Sequence, residues 1–333
     1  MVQYMNNNSG FNQWNANRNA AAKKSGFSGF LWWLLVFMAA WWMLGTIMAP
    51  KQVVTDVTTD TNVIDISAVP EQQIGSDKIA ATVQGLRISD VKLSEFPKSA
   101  DDATPVTLLS ADNDFIEVGL LATGTTGPVA NTVWRGTDGK NTWRNSDGVE
   151  FTRVYNTDGY IISVTDTIKN NAKSAISVSP YVRIVRENDM TSSAGVTSGS
   201  VVYVNSDIEQ RAWQKLDKKS YAYSTTTGFA GFADQYWETV ASIDVPDQTI
   251  RVKKTGDKYS SDIASSAVTI GAGDSAIITT NVFVGPREQS VLDTAEQKIA
   301  GLSETIDYGW FWFLARPMLW VLNGIHHIVM NYG

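Results

Sequence analysis

The side chains able to do chemistry are few and poorly placed for it. The two histidines, His326 and His327, are adjacent near the C-terminus. Neighbours on a helix point about 100° apart, so this pair does not chelate one ion. The 333 residues contain no cysteine, which removes thiol catalysis, thiol redox work and Cys-based metal sites. Carboxylates remain: Glu117, Glu150, Glu187, Glu209 and Glu238 lie in the central part of the chain. A pair of them could act as acid and base across a sugar ring, although epimerisation commonly uses a His with a Glu. A second stretch, Thr225–Phe232 (TTTGFAGF), mixes glycines with aromatics. As a loop it could cup an anion on its backbone N–H groups, or pack its rings over the end of a sheet. Gly228, Phe229, Gly231, Phe232, Tyr236 and Trp237 are the candidate ligand- or partner-contacting residues. No catalytic residue, cofactor or metal is expected.

The elements that must position these residues are strands. From 77 to 285, short β-branched or alternating runs are separated by Gly, Asn and Asp turns. Predicted strands are Ile79–Val83, Arg87–Leu93, Val106–Leu109, Phe115–Leu120, Thr132–Trp134, Val149–Tyr155, Tyr160–Ile168, Ala175–Val185, Ser200–Val204, Tyr236–Asp244, Thr249–Lys253, Ala267–Ile270 and Ala276–Val284. Asp158-Gly159 supplies the positive φ angles of a hairpin turn. Ile176, Val178, Pro180, Val182 and Ile184 share one face of their strand, and Ser177, Ser179, Tyr181, Arg183 and Val185 share the other, as a sandwich sheet requires. In 286–305, Val291, Leu292, Ala295, Ile299 and Leu302 recur at helical spacing, predicting an amphipathic helix packed on the sandwich.

Both ends of the chain point to a lipid bilayer. No charged residue lies between Lys24 and Lys51. That run exceeds the ~20 residues with which a helix crosses a bilayer core of ~30 Å. The anchor is placed at 28–50, with Trp32, Trp33, Trp41 and Trp42 inside it. Arg18, Lys23 and Lys24 precede it, so the polar tail 1–27 is expected in the cytoplasm and the remainder outside. The apolar run is too long for a cleaved leader, and Ile47 and Ala49 make a poor cleavage site. Residues 51–76 read as a polar tether with a short strand around Val63–Ile66. Residues 306–333 are apolar but interrupted by Arg316-Pro317. Arg316, Asn323 and His327 share one face of a helix beginning at Pro317, with Trp310, Trp312 and Trp320 at its margins. Such a helix lies along the membrane interface. The net charge of −7 and the absence of a basic cluster exclude a nucleic-acid partner.

One anchor, a large exported β domain and a terminal aromatic segment resemble the YidC family of bacterial membrane protein insertases. The resemblance is carried by Ile306–Phe313 (IDYGWFWF) with Arg316-Pro317, by Asn331-Tyr332-Gly333, by Val164–Asn171 and by Gly228–Trp237 (GFAGFADQYW). It implies a mainly β protein: a β-supersandwich periplasmic domain with one N-terminal transmembrane helix and C-terminal amphipathic helices. It also implies a bacterial inner-membrane location. The implied partners are the Sec translocon with its accessory subunits and nascent inner-membrane proteins. Family members continue past the N-[WFY]-G ending into five further membrane helices that form the insertion groove. Those helices do not follow Gly333 here, so this chain alone is expected not to insert proteins. Without the resemblance, an anchored sandwich that binds a carbohydrate or a peptide is the alternative.

Overall fold

Strand β10 (Ile176–Glu187) shows why this chain forms sheets. Ile176, Val178, Pro180, Val182 and Ile184 are buried while Ser177, Ser179, Tyr181 and Arg183 are half-buried, the period of two that the sequence predicts, although Val185, expected on the wetter face, is buried too. The computed structural model describes residues 64–110, 114–137, 139–187 and 198–306, together with Met318. Among them, two antiparallel sheets share one core.

The first sheet runs, edge to edge, β1 (Glu71–Gly75), β2 (Ile79–Gln84), β3 (Arg87–Ser99), β5 (Phe115–Thr123), β10, β17 (Lys258–Ala264), β16 (Gln248–Thr255) and β13 (Tyr221–Thr225). Strand β4 (Asp102–Leu108) pairs with β3, and β18 (Val268–Ile270) pairs with β10. The second sheet runs β12 (Asp207–Ala212), β11 (Gly199–Val204), β14 (Gly228–Ala233), β15 (Trp237–Ile243), β19 (Ser275–Pro286), β9 (Ile161–Asn170), β8 (Val149–Asp158), β7 (Lys140–Arg144) and β6 (Arg135–Thr137). The described helices are short: α1 (Trp213–Leu216), α2 (Gln289–Ala295) and a 3₁₀ turn, Leu302–Thr305.

The core is aliphatic with four buried phenylalanines, Phe151, Phe229, Phe232 and Phe283. Trp213 of α1 stacks on Phe232 at 5.1 Å and meets Tyr259 at 4.5 Å between ring centres. One ion pair lies inside this core. Arg153 of β8 and Asp166 of β9 are register partners. Arg153 Nε and Nη2 donate to the two Asp166 oxygens at 2.7 and 2.8 Å, and Nη1 donates to the Val118 carbonyl of the facing sheet at 2.8 Å. The guanidinium also lies 5.3 Å from the centre of the Trp134 ring. It therefore ties the two sheets together with every charged group answered.

On the other face of the first sheet, register places Arg87, Glu117, Arg183, Asp262 and Arg251 side by side across five strands. Opposite charges directly across a strand pair attract. Arg87 Nε reaches Glu117 at 3.3 Å and Arg183 Nε reaches Asp262 at 2.5 Å.

Several expectations change. Residues 64–66 are not a strand, whereas β1 forms inside the stretch read as tether. The strand expected at Thr132–Trp134 is replaced by the hairpin of β6 and β7 just after it. The β8–β9 turn is Gly159-Tyr160, one residue later than expected, with φ +54° at Gly159 and a negative φ at Asp158. A glycine at the first turn position suits a two-residue hairpin. Residues 225–232 are no loop: β13 ends at Thr225 and β14 begins at Gly228. The helix expected over 286–305 is broken into α2, a run of turns and the 3₁₀ turn, with Gly301 at φ +82°. Its apolar stripe survives the break, since Leu292, Ala295, Ile299 and Leu302 are all buried. The anchor 28–50 with Trp32, Trp33, Trp41 and Trp42 lies outside the described residues. So do the interface residues Trp310, Trp312, Arg316, Pro317, Trp320, Asn323 and His327. Among the described residues no helix is long and apolar enough to cross a membrane.

Candidate functional site

The GFAGFADQYW stretch becomes strand β14, a tight turn and the start of β15. Phe229 and Phe232 are buried core residues rather than ligand-facing ones. A Cβ at Gly231 would sit 1.9 Å from the Thr239 carbonyl oxygen, so glycine here serves close strand packing and not an anion nest. The turn is closed by Asp234, whose side chain accepts from the backbone N–H of Tyr236 at 2.9 Å and of Trp237 at 2.8 Å. It leaves Tyr236 exposed at 63%. Trp237 is half-buried and meets Phe96 edge-on at 5.2 Å. Phe96 in turn lies 6.4 Å from Tyr160, whose hydroxyl donates to Glu95 at 2.6 Å.

Behind this turn, three elements converge on Thr305, the last residue of the 3₁₀ turn and fully buried. Its carbonyl accepts from Gln210 Nε2 of β12 at 2.8 Å and from Arg287 Nη2 at 2.6 Å. Its hydroxyl lies 2.9 Å from Glu238 Oε2 of β15. Arg287 spends Nη1 on the Asp234 carbonyl at 2.9 Å, and its backbone N–H donates to the Tyr236 carbonyl at 2.8 Å. One arginine thus joins the aromatic turn to the chain leaving the sandwich.

The charge balance of this clamp is incomplete. Arg287 Nε stands 3.4 Å from Glu238 Oε2 and makes no hydrogen bond, and Glu238 Oε1 has no partner among the described residues. Burial raises the Glu238 carboxyl to about 7, outweighing the nearby Arg287 charge and the Thr305 hydroxyl. Near neutral pH the clamp is therefore poised between a neutral acid and a buried carboxylate. Beside it, a cavity of about 350 Å³ opens between α2 and the β8–β9 turn, lined by Tyr160, Phe283, Val291, Thr294, Ala295 and Lys298.

The other glutamates weighed for acid–base work are dispersed. Glu117 pairs with Arg87, Glu150 with Arg144 and Glu209 with Arg211, each in a different strand neighbourhood. Among the described residues no group of three His, Cys, Asp or Glu could hold a metal. Sequence reasoning missed Arg287, Thr305 and Gln210. One signal pointed to Glu238, a lone carboxylate directly before the buried Thr239–Ala241 run of β15.

Comparison with known proteins agrees with the layout of the domain. A family model described as the YidC periplasmic domain matches residues 71–321. The membrane protein insertase YidC of Sinorhizobium fredii is 31% identical over 284 residues, covering 75% of this chain and 47% of that protein. The same protein of Maricaulis maris is 28% identical over 283 residues, covering 76% and 47%. The chain spans about half the length of the curated relatives it matches. Among solved structures, a galactose mutarotase-like protein from Lactobacillus casei aligns with TM-score 0.44 at 10% identity, covering 65% of this chain and all of that one.

Proposed function

The chain belongs to the YidC family of membrane protein insertases through its periplasmic domain, and from that premise we propose that it is the anchored periplasmic module of a YidC-type insertase. The anchor at 28–50 holds it in the bacterial inner membrane with residues 1–27 in the cytoplasm. The tether 51–76 leads to the sandwich of 77–285, and 286–305 returns the chain to the bilayer. Residues 306–333 then lie along the outer leaflet, with Trp310, Trp312, Arg316, Pro317, Trp320, Asn323 and His327 at the interface. The module docks on the Sec translocon and its accessory subunits and assists the insertion and folding of nascent inner-membrane proteins.

The observation that carries this reading is the clamp on Thr305. A domain that only bound a soluble ligand has no need to bury the first residue of its outgoing chain under three separate elements. A domain that must present a membrane segment at a set angle does. Tyr236 and Trp237, on the turn that Arg287 ties to Thr305, form the proposed partner contact. The test is photo-crosslinking from an amino acid probe at position 236 in the full chain in native membranes. Adducts with translocon subunits are expected. An intact, membrane-embedded chain that yields none would refute the docking role. External protease should digest the sandwich in spheroplasts, and alkaline carbonate should leave the chain in vesicles.

A further inference from the structure

At the edge where the two sheets diverge, a cleft of about 340 Å³ opens between β1 of one sheet and the β6–β7 hairpin of the other. Strand β1 is tied to the β8–β9 turn at its far end, where Thr157 donates to the Gly75 carbonyl and Ser76 donates to the Gly159 carbonyl. At Glu71 and Gln72 it stands away from β8, and Trp134, Asn141 and Tyr155 form the opposite wall. Two hydrogen-bond donors are left over in this wall. Trp134 Nε1 and Asn141 Nδ2 are both buried and have no partner among the described residues. Asn141 is only 7% exposed. A buried donor without an acceptor costs about 1–3 kcal/mol. Two beside one cleft could be answered by acceptors that a ligand brings.

The lining sets the chemistry of that ligand. Among the described residues that line the cleft, Glu71 alone is charged, and it is exposed. Arg153, behind Trp134, is already engaged by Asp166, the Val118 carbonyl and the Tyr155 hydroxyl. Among the described lining residues an anion meets no free cation, and a cation meets no buried carboxylate. What remains is a pair of neutral donors, one on the Trp134 indole and one on the Asn141 amide, with the Gln72 amide beside them, a set that matches hydroxyl oxygens on a compact, partly apolar body. The volume lies within the ~300–1,000 Å³ of small-molecule sites. An extended peptide fits less well. Added to the edge of β1 it would meet Pro70, which has no N–H, and carbonyls at Val69 and Gly75 that already accept from Gln84 and Thr157. Strand β6, on the other side, is three residues long.

We propose that this cleft is a binding site for a neutral saccharide, with Trp134 Nε1 and Asn141 Nδ2 donating to its hydroxyl oxygens. It is separate from the Thr305 clamp and independent of any docking role. The test uses the full chain in detergent micelles, labelled with ¹⁵N at the tryptophan indoles, with the Trp134 signal identified by its loss in Trp134→Phe. Glucose, N-acetylglucosamine and trialanine are the probes. One of the sugars should move the Trp134 indole signal downfield in a saturable way. Asn141→Ala should weaken that binding about tenfold, the loss of roughly one buried hydrogen bond. Trp134→Phe, which keeps the ring and deletes the N–H, should weaken it likewise when read by calorimetry and guards against an unfolded Asn141 variant. No saturable shift with either sugar overturns the proposal. So does a shift produced by trialanine alone, or sugar affinity unchanged in both variants.

Discussion

Among the arginine–carboxylate pairs of this sandwich, Arg153–Asp166 and Arg287–Glu238 are built to different standards. Arg153 and Asp166 face each other in register on adjacent strands, with two hydrogen bonds between them and a third to the opposite sheet. Arg287 and Glu238 approach through one long contact at 3.4 Å and leave an atom on each side unanswered. The first arginine gives its donors to the pair and to the core. The second gives them to the backbone carbonyls of Asp234 and Thr305. An arginine with a carboxylate thus serves as a fixed staple between sheets in one place and as an adjustable clamp on the outgoing chain in the other.

The difference can be broken from either side. Asp166→Ala should be the most damaging change, because it strands a fully buried guanidinium. A loss of about 3–5 kcal/mol is expected, read as a lower urea midpoint. Arg153→Met with Asp166→Leu should recover most of that loss, since well-packed apolar replacements of a buried pair are often neutral. Arg287→Met should cost less, about 2–3 kcal/mol, because Gln210 still holds the Thr305 carbonyl. Its signature should be local, with faster proteolysis after residue 305 while the sheets keep their circular dichroism.

The two pairs should also respond differently to pH. Glu238 binds its proton more tightly folded, at about 7, than in the unfolded chain, near 4.5. The stability it contributes is full below the unfolded value and is lost as pH rises through about 7, with a slope of at most ~1.4 kcal/mol per pH unit. Glu238→Gln should flatten that slope in denaturation curves recorded between pH 5 and 8. A slope unchanged by the substitution would show that the carboxyl is not the source. Thr305→Val is the smallest change expected, about 1 kcal/mol for one hydroxyl hydrogen bond. Hydrogen exchange at the Leu302–Thr305 amides would detect it.

Where period alone decides structure, the sequence was enough. The alternation along Ile176–Ile184 placed β10 on its correct face, though not Val185, and the stripe from Leu292 to Leu302 identified which residues of 286–305 pack inward. What period cannot show is continuity, so the breaks between α2 and the 3₁₀ turn were not visible. The GFAGF stretch misled for a physical reason. Glycine usually marks turns, but Gly231 lies in a strand because the Thr239 carbonyl leaves no room for a side chain. Strand β12 carries charges at half-buried positions, and β17 buries polar Ser260, Ser261 and Asp262 on both faces, which blurs the alternation. The staple left a readable trace, with Asp166 at an inward position between Val164 and Ile168 and Arg153 two residues after Phe151. The clamp left almost none. Its parts are scattered from Gln210 to Thr305, and only the folded sheets bring them together.

Thr305 also has a mechanical meaning. A pull on the chain beyond it is not borne by one hydrogen bond after another, as when a hairpin unzips. Gln210, Glu238 and Arg287 take the load at once, from β12, from β15 and from the end of β19. Tension arriving from residue 306 onward is spread over the part of the second sheet between β12 and β19, so the sandwich resists being unravelled by whatever the following segment is attached to.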